Sequence, residues 1–246
     1  MIYTNGFHQV NAQVLDTIAT PVVEDVRSIW KPVKHSEVAA ATEQAIDGAG
    51  LSFADPNYHV SPDGLTYIAE YVVDAPTEVL PKMDSVQHTV AVMHSNDKRI
   101  ALKVVAGANV QVCTNGMVIG ERVVSKKHTT GLDLFASFRI ALDHYVKQAQ
   151  TLPFAIESFK QTDVSRNMAD HLLVEAGRLN LLPWSGIGKV VKEMKSPTFE
   201  AFSDSSAWSL YNAFTHVIKG AREDKQVVSN REFFKLVRDN AVNASL

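Results

Sequence analysis

Seven cations in the middle of the chain, Lys98, Arg99, Lys103, Arg122, Lys126, Lys127 and Arg139, are the residues whose type and spacing come nearest to a chemistry. Residues 91–150 hold eight basic against four acidic residues, whereas residues 1–90 hold four against twelve and residues 151–246 twelve against eleven. Cations concentrated at turns and strand ends neutralise successive phosphates, the arrangement needed to follow a single strand of DNA. The competing reading is a solvated sheet edge guarded by lysines against edge-to-edge pairing. Tyr58, Tyr67 and Tyr71 precede this segment. They either offer stacking faces to bases or fill the core, as aromatic side chains commonly do.

The remaining reactive residue types form no site. His88 and His94 lie six positions apart and face the same way on a strand, but about 20 Å separates such positions, too far to share one ion. Cys113 is the only cysteine, which excludes an intrachain disulfide and a cysteine-rich zinc site. As a nucleophile it needs a partner such as His94 or His128, and no spacing fixes one, so it reads as a small buried sheet residue. Phosphate-binding glycine loops, zinc-protease pairs and nucleophile elbows are all missing from the sequence. Asp63 and Glu70 could pair for acid and base work, yet 27 acidic residues provide such pairs by chance. No catalytic residue, metal or cofactor is assigned, and an enzyme is not the expectation.

The elements that must carry the cations follow from hydrophobic period and turn chemistry. His35 to Gly50 places Val38, Ala41, Ala45 and Ile46 at helical spacing. Leu51 to Val60 and Leu65 to Asp74 flank Ser61-Pro62-Asp63-Gly64, a hairpin turn, and Leu65, Tyr67, Ala69, Tyr71 and Val73 form a wholly apolar strand face. Three more strands are expected at His88 to His94, Arg99 to Val105 and Val110 to Cys113. Ser95 to Lys98 turns between the first two, and Asn115-Gly116 makes a tight turn into Met117 to Val124. From Thr130 the period changes: Leu132, Phe135, Phe138, Leu142 and Tyr145 mark a long helix, ended or kinked at Pro153. Further helices are expected over Arg166 to Asn180, Ser205 to Gly220 and Asn230 to Val242, with a loop at Pro183-Trp184-Ser185-Gly186. The fold class is therefore α+β: one domain over 1–246, mainly sheet in 51–124 and mainly helical in 130–242. On the helix of Trp208, Tyr211, Thr215 and Ile218, the tryptophan should face the core or a neighbouring subunit. Asn212 should be a buried polar group with satisfied bonds.

Composition sets the broad class. With 246 residues, 46% of them hydrophobic, the chain can bury a sizeable core, and its net charge of −3 lacks the bulk basic excess of many nucleic-acid binders. Met1 to Val10 carries no basic region followed by an apolar run, and no apolar stretch approaches a membrane span. A cytoplasmic protein with no membrane partner is expected.

Met93-His94-Ser95-Asn96-Asp97-Lys98-Arg99-Ile100-Ala101-Leu102, followed by Val110-Gln111-Val112-Cys113-Thr114-Asn115-Gly116-Met117-Val118, resembles a family of phage- and plasmid-borne proteins known as domain of unknown function 932. Lys127-His128-Thr129-Thr130-Gly131 and Trp208-Ser209-Leu210-Tyr211-Asn212-Ala213-Phe214-Thr215 extend the likeness across roughly residues 35 to 220. One departure stands out: where the family has an Asn-Ser-His-Asp-Gly turn, this chain has His94-Ser95-Asn96-Asp97-Lys98. The resemblance implies a phage or plasmid protein acting in a bacterial cytoplasm, and it supplies no catalytic residues. The order of helix, antiparallel strands and long helix is also similar to single-strand-annealing proteins of phage recombination, a likeness of fold alone.

The function expected is thus a DNA-processing accessory that binds single-stranded DNA through the basic segment, as a homo-oligomer with a continuous groove. The alternatives are an interaction protein that modulates a host factor through its acidic first third, and a nuclease with an unfamiliar site.

Overall fold

Ser61-Pro62-Asp63-Gly64 reverses the chain through side-chain bonds that no distant residue is needed to make. Asp63 Oδ1 accepts from the Ser61 hydroxyl at 2.5 Å and from Leu65 N at 3.1 Å, while Gly64 takes φ +69°. In this computed structural model, which describes residues 6–23, 29–83, 86–110 and 117–243, the turn joins β3 (Asn57–Val60) to β4 (Thr66–Asp74). Outward from that hairpin, β1 (His8–Val10) lies beside β3 and β2 (Ser52–Phe53) pairs with the end of β4. On the other side follow β5 (Val86–Ser95), β6 (Leu102–Val110) and β7 (Met117–Lys126), every pairing antiparallel, in the order β1-β3-β4-β5-β6-β7.

Both faces of the sheet are covered. Tyr67, Ala69, Tyr71 and Val73 of β4, with Val90 and Val92 of β5, pack with Val38, Ala45 and Ile46 of α2 (His35–Gly48) and Phe138, Leu142 and Tyr145 of α3 (Leu134–Ala149). A short α1 (Ala12–Thr17) adds Leu15 to that core. The opposite face puts Ile68, Ala91, Met93 and Val105 against Val227 of α8 (Glu223–Val237). β4 and β5 are therefore nearly continuous buried runs, as strands covered on both faces must be. Each large side chain removed from water there contributes roughly 1.5–3 kcal/mol.

The helical half builds a second core around Phe159, Leu172, Tyr211, Phe214 and Phe233, all fully buried. It comprises α4 (Leu152–Gln161), α5 (Arg166–Arg178), α6 (Trp184–Lys195) and α7 (Ala207–Ile218), then α8, which continues into a π-helical turn over Arg238–Val242. Trp208, Tyr211, Thr215 and Ile218 all face this core. Asn212 is buried and donates from Nδ2 to Trp208 O at 2.9 Å. No described helix is long and apolar enough to cross a membrane.

The α+β reading and most element positions hold, with local corrections. The strands expected at Arg99 to Val105 and from Val110 are one strand, β6, which opens at Leu102 and keeps its pairing with β5 unbroken through Gly107 and Asn109 to Val110; Gln111 to Cys113 lie outside the described residues. Pro153 ends α3 by opening α4, where a proline's missing N–H costs nothing. Pro183-Trp184-Ser185-Gly186 is no loop: Pro183 is the N-cap of α6, and Ile187, Val190, Val191 and Met194 give that helix its apolar stripe. α8 begins at Glu223, before the expected Asn230. Cys113 and the Asn115-Gly116 turn lie outside the described residues, although β6 and β7 on either side pair antiparallel as a hairpin requires.

Candidate nucleic-acid interface

The turn between β5 and β6 is fixed before any cation is considered. Ser95 N donates to Ile100 O at 3.0 Å and Ser95 Oγ accepts from Ile100 N at 2.7 Å. Asn96 N donates to Leu65 O at 2.8 Å, and the Asn96 amide pairs with both backbone groups of Val33, at 2.9 and 3.0 Å. The segment before α2 is thereby stitched to the turn. Its other side is bound to the chain after β7: Lys31 N donates to His128 O at 3.2 Å and Thr130 N to Ile29 O at 3.1 Å. Trp30, drawn from 68 positions earlier in the chain, is thus held beside Lys98, whose ammonium lies 4.8 Å from the centre of its ring. Lys98 itself takes φ +71°, the left-handed region glycine favours.

Three adjoining hollows run along this edge of the molecule. The central one, of about 430 Å³, is lined by Trp30, Ser95, Lys98, Arg99, Lys127 and His128 among others. A second, of about 730 Å³, shares Lys127 and adds Lys126, Thr129, Asp133 and the α3 residues Ala136, Ser137 and Ile140. The third, of about 440 Å³, shares Arg99 and Ile100 and adds Phe7, Ser61, Asp63 and Arg222. Because neighbours share walls, the hollows form one track, bordered by five cations (Lys98, Arg99, Lys126, Lys127, Arg222) against two carboxylates (Asp63, Asp133). In a chain of net charge −3 that is a local reversal of sign.

The expected cations divide accordingly. Lys98, Arg99, Lys126 and Lys127 meet on the track; Arg99 is held there by ion pairs with Asp97 and, at 3.1 Å, with Asp63. Those pairs keep the Arg99 guanidinium charged, Asp97 first, and the Ser61 hydroxyl with the Leu65 N–H holds the Asp63 carboxyl below its usual range. Lys103 sits within β6 between Met93 of β5 and Ser125 of β7 and lines none of the three hollows. Arg139 on α3 donates to Gly48 O at the end of α2 and pairs with Asp143 at 3.0 Å, a position where a cation complements the helix C-terminus. Arg122 lies on β7, in register with Val105. Tyr58, Tyr67 and Tyr71 belong to the core, with 5%, 0% and 0% of their surface exposed, so the track's aromatic groups are Trp30 and Phe7 instead. The sequence reading missed Trp30, Phe7 and Arg222, which no motif or period marks.

Behind the central hollow stand three buried histidines. His35, the first residue of α2, bonds through Nε2 to Gly64 O at 2.9 Å and through Nδ1 to His94 Nε2 at 3.0 Å. The His94 and His128 ring centres are 5.0 Å apart. A carbonyl only accepts, so His35 Nε2 carries its hydrogen, His35 Nδ1 is bare, and His94 Nε2 donates to it. Burial lowers the pKa of His35 and of His128; burial with the neighbouring rings holds His94 well below the usual histidine value. All three are neutral at pH 7. His88 shares β5 with His94 but is engaged elsewhere, with Tyr145 Oη at 2.5 Å and Pro81 O at 2.8 Å. Among the described residues no set of three histidine, cysteine or acidic side chains is arranged to hold a metal ion.

Neither the curated proteins nor the solved structures yield a match to the chain. A family model does: domain of unknown function (DUF932) aligns with residues 22–241, a span that contains the β5–β6 turn, the five cations of the track and the buried histidines, but not Phe7. The likeness seen in the Met93–Leu102 and Val110–Val118 stretches therefore extends over nearly the whole chain, and the protein belongs to the DUF932 family.

Proposed function

We propose that the protein binds single-stranded nucleic acid, DNA in the first instance, along the track of three hollows. The observation that carries this reading is their continuity: Lys127 borders two hollows and Arg99 borders two, so a polyanion can pass from one to the next without leaving positive potential. Trp30 and Phe7 add apolar ring surface at separate points of the path, suited to sequence-tolerant contact with bases. Cations that follow one path, with ring surface beside them, support binding, as in a DNA-processing accessory.

Fluorescence anisotropy of a labelled single strand at low salt tests the proposal. Binding at micromolar protein or tighter is expected, and log K should fall with log salt by about 0.7 per phosphate neutralised. Absence of binding under those conditions overturns the reading and would turn attention to a protein partner, sought by pull-down from nuclease-treated extract.

A further inference from the structure

His128 sits at the wall of the central hollow with 3% of its surface exposed, and neither ring nitrogen has a hydrogen-bond partner. Behind it, His94 is fully buried and its Nδ1 is likewise without a partner. Each buried polar atom left in this state costs about 1–3 kcal/mol. The bookkeeping of donors says what would relieve all three. The Gly64 carbonyl polarises the chain of rings so that His94 Nδ1 must be a bare acceptor, and a neutral His128 has one hydrogen to give. An imidazolium at position 128 has two: one for His94 Nδ1 and one for an anion in the hollow. The two ring centres already lie 5.0 Å apart, and because both His128 nitrogens are buried the ring must turn toward the hollow to make the outer bond.

We infer that the central hollow is a proton-linked phosphoryl subsite, in which an entering phosphate and a proton taken from solvent by His128 are bound together. The inference rests on the track reading and names the group that its middle section takes. The groups facing His128 set the balance. From β5 comes neutral His94, backed by His35 of α2, and from the β5–β6 turn Lys98 and Arg99, the latter neutralised in part by Asp97; Lys127 precedes it in the chain. Empty, this surrounding is cationic and without a lining carboxylate, which disfavours the imidazolium. A phosphate reverses that sign: it pairs with Lys98 and Lys127, and its charge favours the protonated ring. Binding therefore takes up a proton, and affinity declines as pH rises.

The experiment reads His128 directly. Long-range proton–nitrogen spectra of the imidazole rings of the full chain are recorded while inorganic phosphate is added at constant ionic strength. The His128 nitrogens are expected to move toward imidazolium values and the pKa of that ring to rise by about one unit or more. In parallel, affinity for a labelled single strand should tighten as pH is lowered from 8 to 6, by up to about tenfold per unit for one proton. His128→Gln should remove this pH dependence while keeping most of the salt dependence. Rings unmoved by millimolar phosphate overturn the inference even where a strand binds the track. Rings that respond to phosphate in a protein that binds no strand uphold the subsite and overturn the proposed function instead. The wild-type spectra decide the point should His128→Gln fail to fold.

Discussion

Arg99 Nη2 lies 3.1 Å from Asp63 Oδ2, so the turn between β5 and β6 is tied to the turn between β3 and β4 by an ion pair inside the proposed binding track. Both side chains are about half exposed, at 60% and 48%, and such a pair contributes less than about 1 kcal/mol to stability. Its larger effect is on the ligand, because Asp63 competes with phosphate for Arg99. Asp63→Asn keeps an oxygen for Ser61 and Leu65 while removing the charge. It should raise single-strand affinity about threefold, equivalent to about 0.7 kcal/mol, with little change in thermal unfolding. Weaker binding in an anisotropy titration would mean that the pair is needed to hold Arg99 in place.

Lys126 and Lys127 are exposed and border the largest of the three hollows, and Lys127 also borders the central one. Replacing both by Ala should lower affinity and reduce the salt slope by about 1.4, two phosphate contacts at about 0.7 each, with the far-UV circular dichroism unchanged. Lys103→Ala serves as the control, since that residue lines none of the hollows. An equal loss from the control would show that net charge, and not the track, governs binding.

Stability should fall on mild acidification. His35, His94 and His128 have folded-state pKa values below the unfolded value, so the unfolded chain binds more protons as pH drops beneath about 6.5. Their contribution is complete above the unfolded pKa and is lost as pH falls toward the folded values, at up to about 1.4 kcal/mol per pH unit for each proton of difference. Urea unfolding at pH 7.5, 6.5 and 5.5 should show a steady decrease in midpoint. A flat profile would contradict the burial of these rings as neutral groups.

Trp208 has 6% of its surface exposed and stacks on Tyr211 at a ring-centre distance of 6.2 Å, in the core shared by α4, α7 and α8. Trp208→Ala should lower stability by about 3–5 kcal/mol, the range for emptying a large aromatic site. Thermal unfolding within a degree or two of the parent would contradict the placement.

What the sequence disclosed and what it withheld divide along chain distance. The Ser61–Gly64 turn, the apolar face of β4 and the stripe on α3 are made by neighbours or by a regular period, so they could be read directly. The four track cations that sequence reading found, Lys98, Arg99, Lys126 and Lys127, sit as two adjacent pairs, where a local charge excess is visible. Trp30 joins them through bonds such as that of Asn96 to Val33 and the pairing of Trp30 with Thr129, across about 60 to 100 residues, and no spacing encodes that. The same holds for His35, His94 and His128, each unremarkable alone and a unit only where α2, β5 and the chain after β7 converge. α6 was missed for another reason. Pro-Trp-Ser-Gly has turn composition, a local signal that competes with the i, i+3, i+4, i+7 stripe of Ile187, Val190, Val191 and Met194 that follows it.

The backbone at Lys98 sets stability and ligand capture against each other. At φ +71° any residue with a side chain is strained by about 1 kcal/mol or more, and glycine would relieve it. Lys98→Gly, however, removes the ammonium above Trp30 and one of the cations of the central hollow. A laboratory evolution campaign scored on heat resistance alone would accept that change and, without any sign in its melting curves, discard part of the surface on which the strand is proposed to lie.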